Sequence, residues 1–264
     1  MAERDDLDVE VGGETRRVAR LIDDGSDTKP CFVWLGGFRS DMEGGKAIAL
    51  SDWCQKTGHG CVRFDYSGHG QSGGQFADGC ISVWLAETLA VLEAIDTRKL
   101  VLVGSSMGGW IALRVAQELR KAGRGDRLHA MVLVAPAPDF ATELMEPKFT
   151  DEQRELMATQ GWFTEVTPYG PDPVLYTSKL IEDGRTQRVL DGELVVGCPV
   201  AILQGMEDPD VPWEHAMRLV HTLAQDDVSI TLIKDGDHRL SREADIAVLL
   251  RLCEDVAEPK HETS

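Results

Sequence analysis

The sequence lacks any apolar run long enough to cross a bilayer, and it is poor in basic residues. Lys and Arg number 27 against 45 Asp and Glu, so the formal net charge is −18. Nucleic acids require a basic face for their phosphates, and anionic membrane surfaces attract Lys and Arg. The composition therefore predicts no nucleic-acid partner and no stable membrane insertion. We interpret the excess of acid as an aid to solubility.

The cysteines form neither a metal-binding nor a disulfide pattern. Cys31 and Cys61 lie in strand-like apolar runs, where a thiol packs as a small apolar side chain. The spacing of the whole set matches no zinc site, so we expect reduced thiols, no disulfide framework and no metal. The set comprises Cys31, Cys54, Cys61, Cys80, Cys198 and Cys253.

The first residues also lack a recognisable targeting signal. Residues 1–8 read MAERDDLD, which contains no apolar secretory core. A transit peptide would be rich in Arg and poor in acids, and this stretch is acidic. We therefore expect a cytoplasmic protein.

Strand-like and helix-like segments alternate along the chain, which predicts an α/β fold with a mostly parallel central sheet and helices on both faces. Residues 15–22 add an early antiparallel pair. A chain of 264 residues fits one such domain, 1–264, and no repeat or low-complexity linker divides it. We predict strands near 31–35, 60–65, 100–104, 130–135, 199–203 and 228–233, and helices near 44–57, 82–96, 106–121, 213–224 and 241–256.

One interval, 138–196, interrupts this alternation and predicts a lid insertion, mostly helical, beside the usual crossover helix. Thr150 is the expected cap of a helix inside it. The interval holds the aromatic residues Trp162, Phe163, Tyr169 and Tyr176. These rings either form an acyl pocket that excludes water or simply pack the lid onto the core. We name Trp162 and Tyr169 as candidate substrate contacts.

The most informative segment follows the central strand. Residues 100–103 read LVLV, residues 104–108 read GSSMG, and a helix-like pattern begins at once. A G-x-S-x-G motif between a strand and a helix places its serine on a sharp turn, with the hydroxyl exposed for nucleophilic attack. The motif predicts Ser106 as the nucleophile.

A serine hydroxyl is a weak nucleophile, so it needs a base and an acid that orients the base. Asp208 follows the strand predicted at 199–203, and His238 follows the strand predicted at 228–233. Carboxyl ends of parallel strands meet at one sheet edge, where Ser106 also emerges. We predict a triad of these three residues. Glu207 and Asp210 are rival acids, and Asp208 and His238 could instead be ordinary loop residues.

An acyl-transfer site also needs backbone N–H groups that stabilise the developing oxyanion. The residue after the nucleophile supplies one, so we assign it to Met107. The second should come from the loop after an early strand, where residues 36–39 read GGFR. We assign it to Phe38. The alternative is a plain Gly-Gly turn.

These segments together resemble the serine hydrolases of the α/β-hydrolase superfamily, over almost the whole length of the chain. Residues 64–72, FDYSGHGQS, resemble the family's D-x-x-G-x-G-x-S turn, and residues 205–212 resemble its acid loop. A closer similarity, carried by residues 42–47, 61–68, 103–110, 211–213 and 237–239, is to the mitochondrial palmitoyl-protein thioesterases of animals, also described as acyl-glucuronide esterases. Many superfamily members carry His-Gly where this chain has Gly36-Gly37.

The resemblance implies hydrolysis of carboxylic esters or thioesters through an acyl-enzyme, with no cofactor. The expected substrate is a small molecule or an acylated protein, and the chain most simply belongs to a bacterium.

Arg239 could pair with an anionic substrate group, such as a glucuronide carboxylate, or with a local acid, Asp237 or Glu243. Activity should fall at acid pH as His238 takes up a proton. The alternatives are an acyltransferase, lyase or peptidase on the same scaffold, or a binding protein without catalysis.

Overall fold

The computed structural model describes residues 3–95, 99–166 and 173–257, and an eight-stranded sheet forms its centre. The strands of this sheet are β1 Glu3–Val11, β2 Glu14–Asp23, β3 Cys31–Leu35, β4 Gly60–Phe64, β5 Leu100–Ser105, β6 Leu128–Val134, β9 Val200–Gly205 and β10 Val228–Ile233. Their order across the sheet is β1-β2-β4-β3-β5-β6-β9-β10, and each neighbouring pair from β4 to β10 in that order is parallel.

The central strand β5 lies between β3 and β6, and all of its residues are buried. A strand covered by helices on both faces has no need of polar alternation, which is why residues 100–103 read as an unbroken apolar run. Burial of each such side chain contributes roughly 1.5–3 kcal/mol to folding. The sheet core therefore fixes the carboxyl end of β5, where the predicted nucleophile lies.

Helices separate the strands as predicted, and two buried hydrophobic clusters accompany the sheet. One cluster includes Trp84 and Trp110, and the other includes Leu50 and Leu249. The structure thus confirms the predicted α/β-hydrolase fold, with its mostly parallel sheet. The helices are α1 Gly45–Thr57, α2 Ile81–Glu93, α3 Met107–Lys121, α4 Asp151–Gln160, α5 Ser178–Thr186, α6 Trp213–Thr222 and α7 Glu243–Ala257.

The amino-terminal strands form a longer hairpin than the sequence indicated. Strand β1 pairs antiparallel with β2, and β2 pairs antiparallel with β4. Most β1 side chains are exposed, and Val9 is its buried residue. The sequence analysis missed β1 because its exposed residues are mostly acidic. An edge strand with one solvated face needs few apolar side chains, so it shows little of the pattern that predicts a strand.

The segment between β6 and β9 combines helices with a small separate sheet. Thr150 caps α4 as predicted: its hydroxyl accepts from the Gln153 N–H, and the Gln153 side chain accepts from the Thr150 N–H. The described part of the segment also contains the strands β7 Trp162–Glu165 and β8 Val174–Thr177, paired antiparallel. The sequence analysis, which expected a mostly helical lid, missed these two strands.

No helix within the described residues is both long and apolar enough to cross a membrane.

Candidate active site

Ser106 lies at the sharp turn between β5 and α3, with φ 53° and ψ −115°. A non-glycine residue in this region costs on the order of 1–3 kcal/mol, so the surrounding structure must hold it there. The Ser106 N–H donates to the Val134 carbonyl at 2.9 Å. A Cβ on Gly104 would lie 2.5 Å from the Gly108 oxygen, and one on Gly108 would lie 2.0 Å from the Leu35 oxygen. Only glycines at both positions permit this turn.

His238 follows β10 and bridges two predicted site residues. Its Nε2 lies 3.1 Å from Ser106 Oγ, and its Nδ1 lies 2.8 Å from Asp208 Oδ2. An ionised carboxylate only accepts hydrogen bonds, so Nδ1 carries the proton in the neutral ring. Nε2 then presents a lone pair to the Ser106 hydroxyl. The ring is in the tautomer that can accept the serine proton.

Asp208 is the acid that contacts His238, and its side chain is fully buried. Its Oδ1 accepts from the Asp210 N–H and the Val211 N–H, each at 2.9 Å. These bonds hold the carboxylate at the sheet edge. The rival Glu207 instead donates its own backbone N–H to the Gly236 carbonyl.

Gln204 is a part of the site that the sequence analysis missed. This fully buried residue of β9 donates from Nε2 to Asp208 Oδ2 at 3.2 Å and to the Val211 carbonyl at 3.1 Å. The same nitrogen lies 3.0 Å from the Gly205 oxygen. Gln204 therefore joins the carboxylate to the backbone of its own loop. A polar residue at the end of an apolar strand was the signal that could have found it.

The backbone N–H groups predicted for the oxyanion are available. Within the described residues, neither the Phe38 N–H nor the Met107 N–H has a hydrogen-bond partner. A Cβ on Gly37 would lie 3.4 Å from Ser106 Cβ, so the Phe38 loop passes directly beside Ser106. Gly37 has no side chain, so the backbone of this loop can approach a reacting group closely, as the sequence indicated.

Ser40 fixes the direction of the Phe38 N–H. The Gly37 carbonyl accepts from the Ser40 hydroxyl at 2.9 Å and from the Ser40 N–H at 3.1 Å. In a trans peptide the C=O and N–H groups point in opposite directions. Because the Gly37 oxygen points toward Ser40, the Phe38 N–H of the same peptide points away from it.

Arg239 follows His238 directly in the chain and is exposed. Within the described residues no ion pair joins it to Asp237 or Glu243. Its carbonyl oxygen accepts from Lys46 Nζ and from the Ser241 hydroxyl, at 2.9 Å in the second case. Lys46, on α1, therefore anchors the loop that carries His238.

Burial, together with the nearby charge of Arg239, lowers the pKa of Lys46 from 10.5 to about 8. Between those two pH values the unfolded chain binds more protons than the native protein, so this group makes the native state more stable as pH rises. We expect the Tm of wild type minus that of Lys46→Gln to be larger at pH 9.5 than at pH 7. Differential scanning calorimetry at the two pH values measures it.

Lys56→Gln, an exposed lysine of the same helix, is the matched control and should show no such trend. A Tm difference for Lys46→Gln that stays constant or shrinks with pH would contradict the described burial of this amine.

The aromatic residues of the 138–196 interval fall on two faces of the small sheet. Phe163 and Tyr176 pair across β7 and β8 and stack at 4.9 Å, and Phe149 packs edge-on against Phe163. Since neighbouring strand residues point to opposite faces, Trp162 lies on the other face, where it is 47% exposed. No described contact joins Trp162 to the triad. The other candidate, Tyr169, lies outside the described residues.

Two groups of acidic and histidine side chains place possible metal ligands close together, and several of these side chains bond to other residues of the protein. Asp208, Asp210 and His238 place ligand-type atoms within 4.8 Å of one another, but two of them are the hydrogen-bonded pair described above. Asp139, Glu143 and Asp191 form a second group. There Glu143 pairs with Arg188 and Arg218, and Asp191 also pairs with Arg188. Arg188 and Arg218 therefore offset most of the negative charge of this second group.

Comparisons with known proteins agree with the α/β-hydrolase fold. The sequence profile described as alpha/beta hydrolase family matches residues 52–251. The chain is 31% identical to "Palmitoyl-protein thioesterase ABHD10, mitochondrial" of Mus musculus over 228 residues, 86% of this chain and 75% of that protein. A solved putative hydrolase from Agrobacterium vitis S4 is 50% identical, with a TM-score of 0.94 over 98% of this chain and 100% of that one. The solved mouse alpha/beta hydrolase domain-containing protein 10 is 29% identical, with a TM-score of 0.84 over 97% and 98%.

Proposed function

Because this chain belongs to the alpha/beta hydrolase family, we propose that it is a serine hydrolase that cleaves acyl esters or thioesters through an acyl-enzyme. One observation carries the proposal: His238 contacts Ser106 Oγ with one ring nitrogen and the buried Asp208 carboxylate with the other. A base oriented by a buried acid is what a serine hydroxyl needs to act as a nucleophile at neutral pH.

In the proposed first half-reaction, His238 Nε2 takes the Ser106 proton as Oγ attacks the acyl carbonyl. The Phe38 and Met107 N–H groups stabilise the resulting oxyanion. The tetrahedral intermediate then collapses, the bond to the leaving oxygen or sulfur breaks, and His238 returns its proton to that atom. The acyl group stays on Ser106, and the alcohol or thiol departs.

In the second half-reaction, water replaces the leaving group. His238 takes a proton from the water, whose oxygen attacks the acyl-enzyme carbonyl. The same N–H groups stabilise the second oxyanion. Collapse breaks the bond to Ser106 Oγ, which regains the proton, and the free acid is released. Throughout, Asp208 holds the imidazole in position and offsets its positive charge.

The similarity to proteins named palmitoyl-protein thioesterases favours thioesters of long acyl groups as substrates, on a small molecule or a protein. The aromatic cluster of Phe149, Phe163 and Tyr176 supports an apolar acyl site. The predicted lid role of 138–196, the candidate contacts Trp162, Tyr169 and Arg239, and the cytoplasmic location all stay predictions.

A substrate series tests the proposal. We expect kcat/KM for matched aryl esters and acyl thioesters, from acetyl to palmitoyl, to peak at long acyl thioesters. Each added methylene buried in an apolar site contributes about 0.8 kcal/mol, or roughly four-fold in kcat/KM. A peak at short esters, with thioesters no better, would contradict the thioesterase assignment and favour a small-acyl esterase.

Added alcohol or thiol acceptors distinguish hydrolysis from acyl transfer. A hydrolase releases the free acid in the same yield with or without the acceptor, whereas an acyltransferase forms the new ester or thioester as its main product. Wild-type protein that neither turns over any substrate nor reacts with a fluorophosphonate would instead indicate a binding protein on this scaffold.

A further inference from the structure

The loop that carries Phe38 rests on a second turn, residues 65–72, which the mechanism above does not use. Asp65 accepts from the Met42 N–H at 2.7 Å and from the Gln71 N–H at 2.8 Å, so it joins the two segments. The Met42 carbonyl in turn accepts from Arg63 at 2.7 Å. This turn therefore forms the support beneath the loop beside Ser106.

His69 of that turn contacts the loop next to Phe38. Its Nε2 lies 3.1 Å from the Arg39 backbone nitrogen, and its Nδ1 lies 3.2 Å from the Ser67 carbonyl oxygen. A carbonyl only accepts, so Nδ1 must carry the proton, and Nε2 is then free to accept from the Arg39 N–H. The two contacts require the same neutral tautomer.

The surroundings of His69 favour its neutral form and restrict the movement of its ring. The residue is 4% exposed, and its ring packs against Phe76 at 5.1 Å and Trp84 at 5.2 Å. Burial lowers the pKa of His69 to about 4, and the nearby Arg39 charge acts in the same direction. The Nε2 lone pair is therefore available across the neutral and alkaline range.

The bond from the Arg39 N–H to His69 helps to hold an unusual backbone conformation in this loop. Arg39 has φ 60°, a left-handed conformation that costs a side-chain-bearing residue roughly 1–2 kcal/mol. The Phe38 ring packs against Phe76 and Phe140, so the side chain of the oxyanion donor is held as well. Ser40 fixes the peptide before Phe38, and the Arg39 N–H belongs to the peptide after it.

We propose that His69 is a positioning residue for the oxyanion site: by accepting from the Arg39 N–H it fixes the peptide after Phe38, while Ser40 fixes the peptide before it, and both bonds are needed to hold the Phe38 N–H toward the reacting carbonyl oxygen. This inference rests on the proposed function and adds a residue that does not touch substrate. It assigns His69 to transition-state stabilisation, because an oxyanion donor acts on a charge that the ground-state substrate lacks.

Two amide substitutions test this by differing only in reach. His69→Asn can still donate to the Ser67 carbonyl but is too short to accept from Arg39, whereas His69→Gln can place its oxygen near the Nε2 position. We expect His69→Asn to lower kcat about 100-fold with KM changed less than about two-fold, as for the loss of one oxyanion donor. His69→Gln should recover about ten-fold or more of that loss.

The rates are normalised to the concentration of active sites, which is measured by fluorophosphonate titration. Misfolded protein therefore does not affect the kcat values. The Ki of a trifluoromethyl ketone, which forms an oxyanion on Ser106, should rise with the loss in kcat/KM. His59→Asn is the matched control, because His59 is also buried and contacts the Pro30 carbonyl at 3.1 Å, before β3 and at the opposite sheet edge. We expect it to keep wild-type kcat.

Several outcomes would overturn the role of His69 alone. They are wild-type kcat and Ki in folded His69→Asn, no recovery in His69→Gln, or an equal loss in His59→Asn. Wild-type turnover that survives Ser106→Ala would overturn the proposed function, and the role of His69 with it.

Discussion

Ser106→Ala should lower kcat/KM for any accepted ester or thioester by at least about 10⁴-fold. Alanine removes the only atom of this residue that can attack a carbonyl, while the turn between β5 and α3 and the two N–H donors stay in place. The remaining rate should reflect binding and oxyanion stabilisation alone, which still exceed the uncatalysed reaction. Initial rates with a chromogenic aryl ester measure the loss. The enzyme concentration must be high enough to detect the remaining activity of the variant.

Ser105→Ala is the matched control for this substitution. Ser105 ends β5 and is buried, and the hydroxyl that hydrogen-bonds to His238 Nε2 is that of Ser106. We expect that variant to keep most of the activity, and both variants to unfold near the wild-type Tm. Normal turnover in folded Ser106→Ala would contradict the assignment of the nucleophile.

Asp208→Asn should lower kcat by about 10⁴-fold, the second largest effect that we expect. The amide nitrogen can donate where the carboxylate accepts, so the imidazole is held in the tautomer that cannot receive the serine proton. The positive charge that forms on His238 also loses its partner. KM should change much less than kcat, because the substrate does not touch this buried side chain. Steady-state kinetics with one ester and one thioester separate the two parameters.

The two neighbouring acids provide the controls for Asp208. Glu207→Gln and Asp210→Asn make the same chemical change within the same loop, whereas Asp208 carries the carboxylate that lies 2.8 Å from His238 Nδ1. We expect each variant to retain activity within about ten-fold of wild type. A large loss in Asp210→Asn with little effect in Asp208→Asn would move the acid role to Asp210.

The parts of this protein that could be predicted from the sequence are those with a local cause. The apolar run at 100–103 and the helical pattern after it place Ser106 on a turn without knowledge of any distant residue. The links between helices and strands are short, so their order also predicts the sheet. The predicted strand at 228–233 and helix near 44–57 match the observed β10 and α1 to within a residue.

Features that depend on distant contacts could not be predicted in this way. The choice of Asp208 over its neighbours depends on which carboxylate reaches a ring 30 residues further along the chain. The bond from the Arg39 N–H to His69 likewise joins residues 30 positions apart. No periodicity or motif spacing encodes such pairs, because they form only when separate loops meet at one sheet edge.

The small sheet of β7 and β8 was missed for a different reason. Each strand is four residues long, too short to show alternation, and residues 167–172 between them are rich in Pro and Gly. That composition reads as loop. The register of β7 and β8 decides which aromatic residues share a face of the small sheet. The sequence alone therefore could not show that Trp162 and Tyr176 lie on opposite faces.

The most direct test of the proposed acyl-enzyme is intact-protein mass spectrometry after rapid acid quench of wild type with an aryl ester or an acyl thioester. We predict an added mass equal to one acyl group, located by peptide mapping on Ser106. It should be absent from Ser106→Ala and should form far more slowly in Asp208→Asn. Turnover without any covalent adduct, or an adduct on another residue that persists in Ser106→Ala, would contradict the proposed mechanism.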